Sequence, residues 1–333
     1  MATPFISVVI NNYNYARFLN EAIESVLNQD FPSEEFEVVI VDDGSTDNSR
    51  EILRKYNNKR FQIVFQNNQG QAAAITLGIA KAKGEVICLL DSDDVWKPKK
   101  ISTIASEFAD PLVGGVQHHL EDVNATLAPL PRGPFPNWPI RYQLNDFLEG
   151  RCEWTATSGM AFRKSALKLT QPIPSGIFYY LDHFLAVGAL CDFEIANVPK
   201  ILGSHRSHGA NWYFGAFADP RKLERESQNE LAFWNEIEGW LKTKNKRVSL
   251  GFERKRKLET IRRNILSQSL EGHFAKAFGL WFKCWDEFWN VSSARFRIFT
   301  LFIAVLSPAL YLRLYSLYEK RGFFNKRKSI PIA

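Results

Sequence analysis

The chain has 333 residues, of which 45% are hydrophobic and 23% are charged. It is therefore long and apolar enough to bury one large core or two, and global disorder is excluded. Its four cysteines lie far apart and form no Cys-x-x-Cys pair, which argues against a disulfide framework or a cysteine zinc site and fits a reducing compartment.

The net charge of +6 is unevenly placed, because residues 221–333 hold 23 basic and 11 acidic residues. A basic tail indicates an anionic surface such as lipid headgroups, since no nucleic-acid-binding motif accompanies it.

Strands and helices are predicted to alternate over the first 95 residues. The predicted strands are 5–10, 36–41, 61–65 and 86–90, and the predicted helices are 18–27, 49–56 and 71–83. The strands are apolar without alternation, as in a parallel sheet that is covered on both faces. This order of elements is typical of a doubly wound α/β fold.

The fourth predicted strand ends in a cluster of carboxylates, Asp91, Asp93 and Asp94. These acids repel one another unless a positive charge lies between them, and a hard divalent cation shared with substrate phosphates is the natural partner. The alternative is an acidic turn that caps a helix beginning near Lys97.

Polar loops also follow the first two predicted strands. Asn11, Tyr13 and Asn14 follow the first strand, and Asp42 and Asp43 follow the second. In a parallel sheet these loops and the acids at the end of the fourth strand meet at one edge. A tyrosine face can stack on a base and carboxylates can accept from a base or a ribose, so the pattern predicts a nucleotide-diphosphate pocket. Neither a GxxxxGK[ST] nor a GxGxxG motif is present, which argues against a P-loop or dinucleotide site. For the two aspartates the alternative is an Asx turn.

Four segments together resemble the family 2 glycosyltransferases, which have the GT-A fold: Ile6–Asn14, Leu19–Gln29, Val39–Asp47 and Leu90–Asp94. The resemblance is close over about residues 5–100 and weaker to about residue 215. It implies a nucleotide-activated sugar, Mn²⁺ or Mg²⁺ as cofactor, and an inverting single displacement. Asn11 stands where a proline is usual, and Thr76 stands where an asparagine is usual.

The resemblance also implies roles for individual residues. The residues expected to bind the donor are Tyr13, Asn14, Asp43, Gln71 and Asp91, together with Asn11, which stands in place of the family's proline and is expected to contact the base edge instead. Tyr13 would stack on the base and Asp43 would accept from the uracil N3–H. Asp91 or Asp93 would face the ribose, and Asp93 or Asp94 would hold the metal, with Asp93 the expected ligand.

The middle of the chain loses the strand and helix alternation. Residues 129–136 contain four prolines and are predicted to form an irregular, stiff loop. Trp154–Arg163 is predicted as strand, turn and strand. In the enzymes that the chain resembles, the segment corresponding to Ser158 and Gly159 lies beside the acceptor, so Ser158 is expected to contact substrate.

One acid and one histidine, Asp182 and His183, interrupt an apolar helical segment at 179–187. A carboxylate is costly to bury unless it has a partner or a proton to accept. The resemblance places the catalytic base in a motif of this kind, although Leu181 stands where a glutamate is usual. One such carboxylate can take the proton of an acceptor hydroxyl. The alternative is that Asp182 is a helix N-cap, and His183 is expected to be structural.

A short strand is predicted at 195–202, and His205, Arg206 and His208 follow it. This segment resembles the family's Arg-x-His-Gly segment, which covers the diphosphate. The resemblance implies that Arg206 or His208 contacts the leaving phosphate and that His208 completes the metal shell. A zinc site is disfavoured, because no cysteine or glutamate joins the two histidines at the right spacing. The alternative is a surface turn.

The last hundred residues have a different pattern. Residues 222–242 and 254–277 are predicted amphipathic helices, and 278–289 is rich in aromatic residues. Residues 298–312 hold no charge but are interrupted at Ser307-Pro308, and fifteen residues span only about 22 Å as a helix against a bilayer core of about 30 Å. Basic residues flank this stretch: Arg295, Arg297, Arg313, Lys320, Arg321, Lys326, Arg327 and Lys328. The pattern predicts a region that lies on an anionic membrane surface without crossing it. The alternative is a buried helical hairpin or a dimer contact.

The sequence thus predicts an α/β protein with a GT-A-type, Rossmann-like, mostly parallel sheet, flanking helices and a C-terminal helical membrane-associating region. The expected parts are a nucleotide-sugar-binding half at 1–110, an acceptor-binding half at 111–215, and basic, aromatic-rich helices at 216–333. The expected function is metal-dependent, inverting transfer from a nucleotide-sugar, with a UDP-sugar as the expected donor. The acceptor would be a hydroxyl of a glycan or lipid-linked molecule in cell-envelope or exopolysaccharide synthesis.

No signal peptide is apparent, so the enzyme is expected in the cytoplasm, peripheral on the inner face of the cell membrane, with no nucleic-acid partner. Two alternatives remain at this point. A nucleotidyltransferase would release pyrophosphate from a nucleoside triphosphate, and a non-catalytic sugar-nucleotide or lipid-binding protein would show no turnover.

Overall fold

The computed structural model describes residues 5–56, 59–209, 219–288 and 292–320. Its strands are β1 Ile6–Asn12, β2 Phe36–Asp43, β3 Phe61–Gln66, β4 Val86–Asp91, β5 Val95–Trp96, β6 Val113–Val123, β7 Arg141–Tyr142, β8 Met160–Arg163 and β9 Glu194–Arg206. Its α-helices are α1 Ala16–Leu27, α2 Ser49–Leu53, α3 Gln71–Lys81, α4 Lys100–Glu107, α5 Leu144–Leu148, α6 Leu181–Leu190, α7 Pro220–Thr243, α8 Leu250–Leu270, α9 Phe274–Phe288, α10 Ser292–Leu306 and α11 Pro308–Lys320.

One mixed sheet organises the fold, with strand order β3-β2-β1-β4-β8-β6-β9-β5 and with β7 paired to β9. The first four strands in this order are parallel to one another, as the strand and helix alternation predicted. Strand β8 runs antiparallel between β4 and β6, while β6 and β9 are parallel. The long pairings are therefore parallel, and the antiparallel ones are short.

Helices cover both faces of the sheet, and alternate residues of each central strand enter opposite cores. Val8 lies in a core with α1 and α4, whereas its neighbour Val9 lies in a core with α3, α6 and α7. Helix α7, although it belongs to the C-terminal region, thus packs on the sheet through Phe233 and Ile237. Thr76 on α3 accepts a hydrogen bond from the backbone N–H of Ile173 at 3.1 Å, which joins α3 to the segment before α6.

Two predicted elements were wrong. The strand expected from Trp154 is absent, because residues 154–156 are irregular and a 3₁₀ turn at Thr157–Gly159 leads directly into β8. The single helix expected at 254–277 is two helices, α8 and α9, which are separated at Gly272 with a φ of +79°. The irregular conformation of 129–136 and the interruption at Ser307-Pro308 are confirmed.

Helices α7 to α11 share a third apolar core, which includes Leu223, Ile265, Cys284, Ile298 and Tyr311. Among the described residues, no helix has both the length and the apolar character that crossing a bilayer requires. The predicted association of this region with a membrane surface stays a prediction. Of the basic residues predicted to support it, Arg321, Lys326, Arg327 and Lys328 lie outside the described residues.

Candidate active site

The polar residues at the ends of β1, β2 and β4 meet at one edge of the sheet. In the parallel register Asn12 is opposite Asp42, and Asn11 is opposite Asp91. Asn11 and Asn12 belong to β1 itself rather than to the loop after it. The predicted convergence of the three strand ends is confirmed.

Side chains tie the loop after β1 to the loop after β2. Asn12 donates to Asp42 at 2.8 Å, and the backbone N–H of Asn14 donates to Ser45 Oγ at 2.9 Å. Asn14 Oδ1 in turn accepts from the backbone N–H of Thr46 at 2.7 Å, with Asn14 held at a φ of +58°. These bonds engage Asn14 within the protein, whereas Tyr13 beside it has 44% of its surface exposed.

Asp43 fixes the loop that leads into α3. Its Oδ1 accepts from Gln66 Nε2 at 2.6 Å and from the backbone N–H of Gln69 at 2.9 Å, and its Oδ2 accepts from the N–H of Gly70 at 2.8 Å. Each carboxylate oxygen can accept two hydrogen bonds. Oδ2 accepts one hydrogen bond from the described residues, so it has a second acceptor position that a ligand could use.

Asp91 is held at the end of β4 by polar neighbours. Gln71 Nε2, at the start of α3, donates to Asp91 Oδ1 at 2.8 Å, and the backbone N–H of Asp91 donates to Ser158 Oγ at 3.0 Å. Burial and the nearby carboxylate of Asp93 raise the pKa of Asp91 to about 7, against the effect of a hydrogen bond from Asn11. Asp91 and Asp93 are therefore close enough for the Asp93 carboxylate to disfavour the ionised form of Asp91.

Asp93 and Asp94 have different partners. Asp93 Oδ2 lies 3.0 Å from His208 Nε2, and Asp94 Oδ1 accepts from the backbone N–H of Arg206 at 2.8 Å. Asp94 Oδ2 is buried and receives no hydrogen bond from any residue that the structure describes. Burial, together with neighbouring carboxylates, raises the pKa of both acids to about 6.

Arg206 is buried beneath this acidic cluster, with 1% of its surface exposed. Its guanidinium donates to the carbonyl oxygens of Asp93 at 2.7 Å and Ala125 at 2.8 Å, and pairs with Glu21 at 2.5 Å. It also lies 4.3 Å from the centre of the Phe18 ring. The arrangement makes Arg206 a support of the acidic strand end, whereas the sequence had suggested direct contact with a phosphate.

Ser158, which the sequence suggested as a substrate contact, is completely buried. Besides accepting from Asp91 through its hydroxyl, it accepts through its carbonyl oxygen from Trp96 Nε1 at 2.9 Å and Lys100 Nζ at 3.4 Å. These contacts make Ser158 a buried support of the end of β4.

His205, which the sequence analysis considered only as a disfavoured zinc ligand, is a charged group of the site. The register of β6 and β9 places it opposite Asp122, and its Nδ1 lies 3.3 Å from Asp122 Oδ1. Burial acts to lower the pKa of His205, but Asp122 and the strand-end acids Asp93 and Asp94 raise it to about 9. The predicted strand at 195–202 stops short of His205, whereas the observed strand β9 continues to Arg206 and so pairs His205 with Asp122.

Asp182 lies in the first turn of α6, and its side chain is 20% exposed. Its Oδ1 accepts from the backbone N–H of His183 and lies 2.8 Å from His183 Nδ1. The contacts described for Asp182 are local, so the site consists of a strand-end cluster and a separate acid on α6.

The residues of the strand-end cluster suit a divalent cation that is shared with a substrate. Among the described residues, no three His, Cys, Asp or Glu side chains converge as a metal cage. Mg²⁺ is commonly held by one or two carboxylates plus substrate phosphates. Asp93, His208 and the buried oxygen of Asp94 that lacks a partner provide oxygen and nitrogen ligands of this kind.

The comparisons with known proteins identify the family. A family model described as glycosyl transferase family 2 matches residues 7–169. An uncharacterized glycosyltransferase of Nostoc sp. is 36% identical over 245 residues, which are 69% of this chain and 73% of that protein. This chain belongs to glycosyltransferase family 2. Membership makes this chain an enzyme of the glycosyltransferase class, in preference to the nucleotidyltransferase and the non-catalytic alternatives.

Further similarities concern shorter segments or the fold. Over 103 residues, this glycosyltransferase is 41% identical to Staphylococcus aureus poly(ribitol-phosphate) beta-N-acetylglucosaminyltransferase TarS, a match of 30% of this chain and 18% of TarS. The crystal structure of TarS 1-349 in complex with UDP superposes on this structure with a TM-score of 0.50 at 20% sequence identity. The superposition covers 79% of this chain and 80% of the TarS chain. The mannosyltransferase PcManGT of Pyrobaculum calidifontis, in complex with GDP-Man and Mn²⁺, has a TM-score of 0.52 at 19% identity over 68% of this chain and 63% of its own. The predicted GT-A fold is confirmed.

Proposed function

We propose that this glycosyltransferase transfers a sugar from a UDP-sugar to a hydroxyl group of a glycan or lipid-linked acceptor in cell-envelope or exopolysaccharide synthesis. The observation that carries the proposal is the arrangement at one sheet edge of an exposed Tyr13, a carboxylate at Asp43 and the acids 91, 93 and 94. The similarity to TarS, whose structures include complexes with UDP and UDP-GlcNAc, supports UDP as the nucleotide.

The donor would bind across the strand ends. Tyr13, which is 44% exposed beside the strand ends, stacks on the base, and the second acceptor position of Asp43 Oδ2 takes the imide N–H. Asn11 Oδ1 is buried without a hydrogen bond among the described residues and is placed to accept from the base edge. Asp91 and Gln71, already joined to each other, bind the ribose.

A divalent cation, Mn²⁺ or Mg²⁺, would bind through one or two of Asp93, Asp94 and His208 together with the donor's diphosphate, because among the described residues these side chains do not form a complete cage. Bound there, it supplies positive charge that stabilises the leaving diphosphate. Burial, and after it the neighbouring carboxylates, raise the pKa of the two aspartates, and a bound cation would favour their ionised forms. Arg206 keeps these ligands in place through the backbone of the acidic segment.

Asp182 would be the catalytic base. As the acceptor oxygen attacks C1 of the sugar, its proton passes to the Asp182 carboxylate and the bond from C1 to the diphosphate oxygen breaks. UDP leaves on the opposite face, so the anomeric configuration inverts. The bond from His183 orients Asp182 through Oδ1, which leaves Oδ2 to take the proton.

A screen of UDP- and GDP-sugars for metal-dependent release of the nucleoside diphosphate tests this function. We expect turnover with at least one UDP-sugar and its loss on chelation of the metal. Asp182→Asn should lower kcat by about 10²–10⁴-fold with UDP affinity nearly unchanged, because the amide keeps the shape but accepts no proton. Activity with GDP-sugars alone would overturn the choice of UDP as the donor nucleotide. Full activity of Asp182→Asn would overturn the role of Asp182 as the catalytic base.

The C-terminal helices would place this site at the cytoplasmic face of the cell membrane. Five large apolar side chains of the described residues are exposed on α9 and α10: Phe274 (50%), Phe278 (48%), Phe282 (60%), Phe299 (63%) and Leu306 (66%). The rings of Trp281 and Phe302, 4.8 Å apart, join the two helices beside them. The excess of basic residues after position 220 fits an anionic leaflet, at about 1 kcal/mol for each Lys or Arg near the surface.

Flotation with anionic and neutral vesicles tests this surface. We expect binding to anionic vesicles that is weakened by salt and by the double substitution Phe278→Ser and Phe282→Ser. Leu231→Ser is the matched control, because Leu231 is 64% exposed on α7. Failure of the protein to float with either vesicle type would refute the proposal. Binding that withstands a carbonate wash would indicate insertion into the bilayer instead.

A further inference from the structure

The C-terminal helices hold the backbone segment that leads into α6. Asn229 on α7 is completely buried, and its Oδ1 accepts from two consecutive backbone N–H groups, those of Phe178 at 2.6 Å and Tyr179 at 2.7 Å. Two backbone donors on one buried oxygen fix the path of this segment, since a buried N–H that loses its acceptor is costly. The segment ends two residues before Asp182.

The next residue, Tyr180, is held by a second set of contacts from the same helices. Its hydroxyl donates to Glu226 Oε1 on α7 at 2.9 Å. Arg263 on α8, with 6% of its surface exposed, lies 3.1 Å from the same Glu226 oxygen and donates to the Tyr180 hydroxyl at 3.3 Å. Arg263 also pairs with Glu230. Burial raises the pKa of Tyr180, so the hydroxyl stays a neutral donor.

These contacts connect the C-terminal helices α7 and α8 to the start of α6, which carries Asp182. Tyr180 is the residue before the first turn of α6, and its carbonyl oxygen accepts from the N–H of Phe184. A shift of residues 178–180 would therefore shift the first turn of α6, which carries Asp182. By contrast, the strand-end acids are held by Arg206, Ser158 and His208, and none of these contacts involves α7 or α8.

We propose that Asn229, Glu226 and Arg263 are positioning residues that set the placement of Asp182 relative to the acceptor. The inference rests on the proposed function, because it takes Asp182 to be the base. It assigns the C-terminal helices a part in the reaction besides the membrane contact. Proton transfer requires the base within hydrogen-bond reach of the hydroxyl, and a misplacement of about 1 Å can cost about 10²-fold in rate.

The test is a double-mutant cycle between Asn229→Leu and Asp182→Asn, with kcat and the donor KM measured for each variant. We expect Asn229→Leu to lower kcat by about 10- to 100-fold with the donor KM changed less than about twofold, since the donor pocket is held by other residues. In the Asp182→Asn background the same substitution should cost nothing further. Asn229→Asp keeps the acceptor oxygen and should restore most of kcat.

Two controls separate positioning from a general loss of stability. Leu301→Ala, in the core of the C-terminal helices with 1% of Leu301 exposed, should lower the melting temperature and leave kcat unchanged. Tyr180→Phe removes only the hydroxyl and should show the pattern of Asn229→Leu in milder form, which decides the question if Asn229→Leu fails to fold.

The outcomes distinguish this inference from the function on which it rests. If the losses of Asn229→Leu and Asp182→Asn multiply, or if Leu301→Ala lowers kcat equally, the positioning role is refuted while the proposed base stands. If Asp182→Asn alone retains full kcat, the proposed base is refuted and the positioning role falls with it.

Discussion

Replacing Lys100 with methionine should stabilise the protein at neutral pH, although Lys100 is one of its most deeply buried residues. Lys100 is completely buried on α4. Its amine lies 3.2 Å from the centre of the Trp96 ring and 3.4 Å from the carbonyl oxygen of Ser158. Burial lowers the pKa of Lys100 from 10.5 to about 7, against a small opposing effect of Cys88.

The magnitude follows from this change in pKa. Between pH 7 and 10.5 the unfolded chain binds a proton at Lys100 that the folded protein does not, so the contribution of Lys100 to stability rises with pH in this range. At pH 7.5 the mismatch costs roughly 4 kcal/mol of folding free energy, and at pH 9.0 roughly 2 kcal/mol. Lys100→Met removes this cost and loses one hydrogen bond of about 1 kcal/mol. We therefore expect a net gain of about 2–3 kcal/mol at pH 7.5.

Thermal unfolding of both proteins at several pH values between 7.5 and 9.0 measures this effect. The advantage of the variant should shrink by about 2 kcal/mol over this range, which corresponds to about 3 °C in Tm for a chain of this length. Lys99→Met makes the same chemical change at an exposed neighbour and should leave the pH dependence as in the original protein. Parallel curves for the original protein and Lys100→Met, or a less stable Lys100→Met at pH 7.5, would refute the reasoning.

Four further substitutions test the strand-end site and the loops beside it. Asp93→Asn should abolish the effect of Mn²⁺ on UDP affinity in calorimetry, and UDP affinity that still responds to Mn²⁺ would contradict its role as a ligand. Asp43→Asn turns an amide N–H₂ towards the N–H groups that the carboxylate now accepts from, so it should cost about 1–3 kcal/mol of stability and weaken UDP binding; unchanged values of both would contradict this. Gly44→Ala should destabilise the protein more than Gly70→Ala in thermal unfolding. Both glycines have positive φ, but a Cβ on Gly44 would lie 2.6 Å from the backbone N of Asn68, whereas a Cβ on Gly70 meets nothing within 4 Å; equal losses would show that backbone strain alone decides.

Local patterns in the sequence were sufficient to predict the front half of the fold and the convergence of its polar strand ends at one sheet edge. Unalternated apolar strands that alternate with amphipathic helices imply a parallel sheet, and a parallel sheet brings all its carboxyl ends to one edge. Tyr13, Asp43 and Asp91 could therefore be placed together before any coordinates were known, because each directly follows a strand or ends one. The break at Ser307-Pro308 was equally visible, since proline cannot continue a helix interior.

Which way each polar side chain is directed, and to which distant partner, was decided only by the tertiary structure. Arg206 and Ser158 have the residue types of substrate contacts, yet both are buried supports of the acidic strand end. The contact of His205 with Asp122 depends on the register of β6 and β9, and the contact of Asn229 with residues 178 and 179 depends on how α7 packs. These partners are 50 or more residues apart, and spacing along the chain carries information only about neighbours within one element. The physical reason is that local periodicity determines which face of an element is buried, whereas the packing of whole elements determines what that face meets.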